Sequence, residues 1–150
     1  SLYRPNIKDS NILVESLIKL KKLEQLSLYC VECLSDDSLI KIIKNIGIQL
    51  CLLNLGGYMA IPNRITDDSI RQIAKHCRNL NSICFDLFSC SATLDPFQSV
   101  FEKSEFACKY ESISLSACRN ISPNLLSKIA VNCINLKKLD LSGLNQLVDN

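Results

Sequence analysis

The chain has no tryptophan, one histidine (His76), one methionine, four glycines and four prolines in 150 residues. Each shortage excludes something. As a catalytic base His76 would need a positioned nucleophile and an orienting third group, and no G-x-S-x-G motif supplies them. With so few glycines there is no loop to cradle phosphates; the one pair, Gly56-Gly57, follows a strand-like run. No Gly/Pro/Ser-rich stretch and no block of like charge marks a linker, so residues 1–150 carry no internal boundary. Seventeen basic against fifteen acidic residues leave a net charge of +2, which gives no electrostatic case for nucleic acid or an anionic membrane. The most apolar stretch, 46–55, is too short and too polar to span a bilayer, and no signal-like n- and h-region opens the chain.

What the chain does have is repetition. Leu23-x-x-Leu26-x-Leu28, Leu50-x-x-Leu53-x-Leu55, Leu80-x-x-Ile83-x-Phe85, Tyr110-x-x-Ile113-x-Leu115 and Leu136-x-x-Leu139-x-Leu141 fill one frame. Their first positions are 27, 30, 30 and 26 residues apart. A fixed period in the range of about 20–50 residues marks a solenoid, and this frame is that of a leucine-rich repeat. After each frame comes a helical stripe. Ile70 is followed by Ile73, Ala74, Cys77 and Leu80, and Leu126 by Ile129, Ala130, Cys133 and Leu136, at the same offsets. Leu39 leads to Ile42, Ile43 and Ile46, with Leu50 one residue late, and Leu13 leads to Leu17, Leu20 and Leu23. Such spacing lays apolar residues along one helix face, whereas x-Leu-x-Leu-x has the period of a strand. Each unit therefore predicts strand, loop, helix.

Helix starts recur in phase. Ser35-Asp36-Asp37, Thr66-Asp67-Asp68, Ser122-Pro123-Asn124 and Asp95-Pro96 each precede a stripe. Their hydroxyls and carboxylates accept from unpaired first-turn amides, the acidic residues complement the helix dipole, and proline suits the first helical position. This capping role accounts for the paired carboxylates. Leu28 to Ser35, Leu115 to Ser122 and Leu2 to Asp9 are each seven residues apart, so Leu2 closes an earlier frame, while Leu141, Leu144 and Leu147 open another loop. About five units are present and both ends fall inside one, which predicts a piece of a longer array.

Nine cysteines, an odd number spread through the repeat, predict reduced thiols in cytoplasm or nucleus. Cys77 and Cys133 occupy one helical slot, and Cys118 stands where the repeat wants a small buried side chain reaching loop backbone. Cys30-x-x-Cys33 is a weak metal or redox signal: it lies in a loop leaving a strand, and no second pair has the right spacing. No cofactor and no metal are expected. His76 is expected to face solvent, and the Lys19/Lys21/Lys22 cluster to be a solvated helix end.

The outward residues of the strands form three rows: Gln25, Leu52, Ser82, Ser112, Lys138; then Ser27, Asn54, Cys84, Ser114, Asp140; then Tyr29, Gly56, Asp86, Ser116, Ser142. Tyr29, Leu52 and Asp86 are the best partner-binding candidates in these mostly small, polar rows. Two loops exceed the seven-residue norm. One of them, 57–64, gathers Tyr58, Met59, Ile61 and Arg64, a composition suited to an interface. The stretch Phe97 to Phe106 breaks the stripe, because Lys103 and Ser104 fall on offsets 3 and 4 from Val100; a short or displaced helix is expected there.

The segments 113–122 and 129–136, reading Ile-Ser-Leu-Ser-Ala-Cys-Arg-Asn-Ile-Ser and Ile-Ala-Val-Asn-Cys-Ile-Asn-Leu, resemble the cysteine-containing leucine-rich repeats, and 65–80 matches nearly as well. The whole chain is similar to the array of F-box/leucine-rich-repeat proteins, the substrate receptors of cullin-RING ubiquitin ligases. The resemblance implies a right-handed α/β solenoid with parallel strands on the concave face and helices on the convex face. It also implies a non-enzymatic monomer that binds a protein partner or ubiquitination substrate, joined by adaptor and cullin subunits only where an F-box lies outside these residues. A scaffold, assembly factor or GTPase regulator with no part in ubiquitin transfer remains the alternative. Binding to nucleic acid or membrane is not expected.

Overall fold

The computed structural model describes residues 10–31, 33–57, 65–86, 97–102, 104–118 and 121–144. In chain order these form α1 (Ser10–Leu17), β1 (Gln25–Ser27), α2 (Asp36–Ile46), a 3-10 turn (Gly47–Gln49), β2 (Leu52–Asn54), α3 (Asp67–His76), β3 (Ser82–Cys84), α4 (Gln98–Phe101), α5 (Ser104–Ala107), β4 (Ser112–Ser114), α6 (Pro123–Asn132) and β5 (Lys138–Asp140). The architecture is α/β. The strands form one sheet in the order β1-β2-β3-β4-β5, and every neighbouring pair is parallel. Parallel neighbours need a crossover, which the helices supply. The helices pack in matching order: α1 on α2, α2 on α3, α3 on α4, and α4 on α6.

Each strand is centred on the middle frame residue: Leu26, Leu53, Ile83, Ile113 and Leu139. Leu53, Leu55, Ile113 and Leu115 are fully buried, and Leu39, Ile42, Ile43 and Ile46 of α2 meet them in one core. Leu139 differs, at 43% exposed, because no described helix follows β5 to cover it; Leu26 of the other edge strand, flanked in sequence by α1 and α2, is buried. The extra residue before Leu50 is absorbed by the 3-10 turn, whose closing bond runs from the Leu50 N–H to the Gly47 carbonyl.

The stripes need correction at the two outer helices. In α6 the core-facing residues are Leu125, Ile129 and Cys133, while Leu126 is half-buried and Ala130 exposed. In α1 it is Val14 that is buried, with Leu13 and Leu17 at the margin and Leu20 exposed beyond the helix end. Among the described helices α1 packs against α2 alone, and α6 only against α4 and α5. Each buries one narrow row, whereas α2, packed between α1 and α3, buries a broad face. The irregular unit behaves as expected: its helical part is two four-residue pieces, α4 and α5. Aromatic rings fill the core there, with Phe85 and Phe97 centroids 4.8 Å apart and Phe101 and Tyr110 centroids 5.3 Å apart.

Three caps are formed as the sequence indicates. The hydroxyl of Ser35 accepts from the Ser38 amide, that of Thr66 from Asp68 and that of Ser122 from Leu125, with Pro123 in the first turn. Asp95-Pro96 lies outside the described residues. Asp36 does more than complement its own helix. Its carboxylate accepts from the Thr66 N–H at 2.9 Å, from the Thr66 hydroxyl at 2.6 Å, and from the Ser69 hydroxyl, tying α2 to the start of α3. Charge-assisted bonds of this kind are stronger than neutral ones.

The loops leaving the strands share a conformation. Positive φ occurs at Cys30 (56°), Gly57 (92°), Ala117 (52°) and Gly143 (70°), each two residues beyond the last frame position. Glycine enters this region freely, while alanine and cysteine are strained there. Thiols brace the same loops: Cys118 donates to the Phe85 carbonyl at 2.8 Å and Cys30 to the Gly57 carbonyl at 3.4 Å.

Candidate recognition surface

The sheet sets the outward residues in register. Gln25 pairs with Leu52, Leu52 with Ser82, Ser82 with Ser112 and Ser112 with Lys138. One step along, Ser27, Asn54, Cys84, Ser114 and Asp140 do the same. The third row lies just past the strands and is stitched by backbone bonds, Cys30 N–H to Gly56 O, Gly57 N–H to Asp86 O and Ala117 N–H to Ser142 O. Neighbouring strands lie about 4.8 Å apart, so each row is an evenly spaced line of side chains.

Of the candidate residues on this face, Tyr29 is 49% exposed and Leu52 half-buried. The Tyr29 ring lies against the glycine pair: a Cβ at Gly56 would come 3.1 Å from its Cδ2 and 3.0 Å from the Asp86 carbonyl. Only a glycine lets the ring settle so close to the backbone. The adjacent Cys30 thiol raises the Tyr29 hydroxyl above its ordinary value, as do burial, the Cys30 hydrogen bond, and the Asp86 and Cys84 side chains. Asp86 is half-buried, and one carboxylate oxygen accepts from the Ser114 hydroxyl and from the Ser116 N–H at 3.0 Å. Two serines that look blank in the sequence thus hold this carboxylate. Tyr29, Asp86 and Cys84 form one neighbourhood; Leu52 lies apart from it in the first row, paired with Gln25 and Ser82. Tyr58, Met59, Ile61 and Arg64 lie outside the described residues.

Burial pushes the Cys84 thiol up to about 11, Cys133 up to about 11 and Cys77 up to about 12, so all three stay protonated at neutral pH. A nucleophilic cysteine needs the opposite shift. The eight described cysteines are free thiols, with Cys77, Cys118 and Cys133 buried. Cys30 and Cys33 are both half-buried in the loop after β1, and no group of three His, Cys, Asp or Glu among the described residues is placed to hold a metal ion.

His76 does not face solvent freely. It is half-buried at the end of α3, and its Nε2 is shut off from water with no hydrogen-bond partner among the described residues. Desolvation first, then the charges of Lys75, Lys44 and Arg78, lower its pKa below the ordinary 6.5. Burial, with the cations around it adding to the effect, therefore favours the neutral imidazole. Lys19, Lys21 and Lys22 are exposed in the turn after α1, beside a shallow hollow that they line with Leu20 and Leu23. Among the described residues no helix is long and apolar enough to cross a membrane.

Sequence reasoning missed one recurrent feature, the residue just before four of the five frames. Gln49 donates to the Leu20 carbonyl at 2.7 Å, Asn79 to Ile48 at 2.8 Å, Lys109 to Arg78 at 3.0 Å and Asn135 to Cys108 at 2.8 Å. The signal was present as four long polar residues in one frame position. In comparisons with known proteins, no family model matches the chain and no curated protein is similar enough to count as a match.

Proposed function

We propose that the chain is a right-handed leucine-rich-repeat solenoid, strands on the concave face and helices on the convex face, acting as a non-enzymatic protein-recognition module. In this reading it is the substrate-binding repeat region of an F-box-type receptor of a cullin-RING ubiquitin ligase, working in cytoplasm or nucleus. The observation that carries the recognition role is the sheet itself. Five parallel strands in sequence order hold three rows of outward side chains in register. Such a face offers extended contact area for a protein and has the repetitive geometry of arrays that bind along their length. The ligase role is supported by the resemblance of the cysteine-containing repeats, carried here by Cys77, Cys118 and Cys133, all three of them buried.

The bound partner would be a protein substrate. Tyr29, with its exposed ring held on Gly56, and Leu52, two rows away on the same face, supply the anchors; Asp86 supplies a charged neighbour to Tyr29. Adaptor and cullin subunits would join through an F-box elsewhere in the full-length protein. Affinity purification of that full-length protein tests the reading. Recovery of adaptor and cullin supports the ligase role, whereas partners recovered without them would replace it by the scaffold role.

A further inference from the structure

Away from the sheet, the broken helical unit leaves a groove. Where α3 faces α4 and α5, Arg71, Ala74, Lys75, Arg78, Ser99, Glu102 and Phe106 line a hollow of about 200 Å³. The cause is local. A continuous helix would extend past Val100, but Lys103 and Ser104 interrupt the apolar stripe and the helix divides into two short pieces.

The charges around this groove do not balance. Arg71 is engaged by Asp67 at 3.6 Å and Asp68 at 2.8 Å, both on its own helix, and Glu102 is engaged by Lys128 at 3.4 Å. Lys75, Arg78 and Lys109 have no carboxylate partner among the described residues, and Glu105, one turn before Lys109, makes no ion pair with them. Two of these cations are held in place by other contacts. The Arg78 guanidinium lies 5.3 Å from the Phe106 centroid and the Lys109 ammonium 6.0 Å from it. Lys109 also donates to the Arg78 carbonyl and to Asn79 Oδ1, each at 3.0 Å. Cations held in this way lose less freedom on binding an anion than mobile side chains do.

We infer that the groove between α3 and the α4–α5 pair docks a short acidic segment of a protein partner, its carboxylates taken by Lys75, Arg78 and Lys109. Charge complementarity argues for carboxylates. Nucleic acid is disfavoured because the Phe106 ring already carries two cations over it and offers no platform for a base, and because three cations make too short a track for a phosphate backbone. The inference rests on the recognition-module reading only in taking a protein as the ligand. It requires no ligase component.

The test is selection of a random peptide display library on the full-length protein, repeated on a Lys75→Glu/Arg78→Glu variant. The selected peptides are expected to be enriched in Asp and Glu, to bind more weakly as salt rises, and to lose at least about tenfold in affinity for the double variant. Selected peptides without acidic enrichment, acidic peptides that bind the variant equally well, or equal displacement by heparin and single-stranded DNA would each overturn it. If the double variant melts early, Lys75→Gln, at an exposed side chain, carries the test. About a threefold loss of peptide affinity is then expected, and unchanged affinity overturns the inference. Failure to recover adaptor and cullin subunits leaves this result untouched, so the two readings fail separately.

Discussion

The side-chain amide of Asn79 donates to the backbone carbonyl of Ile48 at 2.8 Å, joining two units 31 residues apart. Gln49, Lys109 and Asn135 make the same kind of bond in three other units. Each ties the turn before one strand to the turn before the preceding one. Each side chain adds a bond to a carbonyl in the turn after a helix; that of Leu20 also accepts from the Leu23 N–H at 3.1 Å. Asn79→Ala removes its bond to Ile48 and the one Asn79 Oδ1 accepts from Lys109, and is expected to lower stability by about 1–2 kcal/mol. Chemical denaturation checks it; an unchanged midpoint would mean that water replaces the amide at no loss.

Two leucines at one frame position should respond very differently to the same charge. Leu53 is 0% exposed in the inner strand β2, and Leu139 is 43% exposed in β5. Leu53→Asp places an unpaired carboxylate in the core and is expected to cost several kcal/mol, about 3–5, enough to unfold a marginal array. Leu139→Asp should stay within about 1 kcal/mol. Circular dichroism melts of the two variants decide it, and equal losses would contradict the burial pattern.

The left-handed loop position predicts opposite signs for two small changes. At Gly57, where φ is 92°, an added Cβ would collide with the Cys30 sulfur, so Gly57→Ala is expected to destabilise by about 1–3 kcal/mol. Ala117, at φ 52°, already bears the strain, and Ala117→Gly is expected to stabilise by up to about 1 kcal/mol. Urea midpoints moving in the same direction for both would refute the shared loop geometry.

His76 makes stability depend on pH in a defined window. Its folded pKa lies below the ordinary 6.5, so the unfolded chain binds the proton first as pH falls. Stability should be level above that value, decline as pH drops through 6.5 toward the lower folded pKa, and take no further loss from this group below it. His76→Gln should remove that part of the slope. Melting temperatures across this range that are identical in the two proteins would show that the imidazole is not held neutral.

The regular parts of this fold were legible because they repeat. Frame, stripe and cap coincide in the units of α2 and α3, frame and cap in that of α6, and strands and helix starts fall where Leu53, Ile83, Thr66 and Ser122 put them. The break at Val100 was visible for the complementary reason: polar residues fell on the stripe. What escaped depends on neighbours distant in sequence. The burial of Leu125 and Val14 in place of Leu126 and Leu13 follows from which helices flank α6 and α1. The reach of Asp36 to Thr66, the bracing of Asp86 by two serines and the shielding of His76 by its surroundings likewise need the three-dimensional order. On the strand face, periodicity indicated which residues point outward, and the fold added that the Tyr29 ring lies against Gly56.

The central claim, that the strand face is where a protein partner lies, is tested most directly by site-specific photo-crosslinking in the full-length protein. A photoreactive residue would replace Tyr29 or Leu52 on the sheet, with exposed Val131 of α6 as the comparison position. The account predicts that both sheet positions capture one and the same protein and that Val131 does not. Capture from Val131 alone, or different proteins from Tyr29 and Leu52, would contradict it.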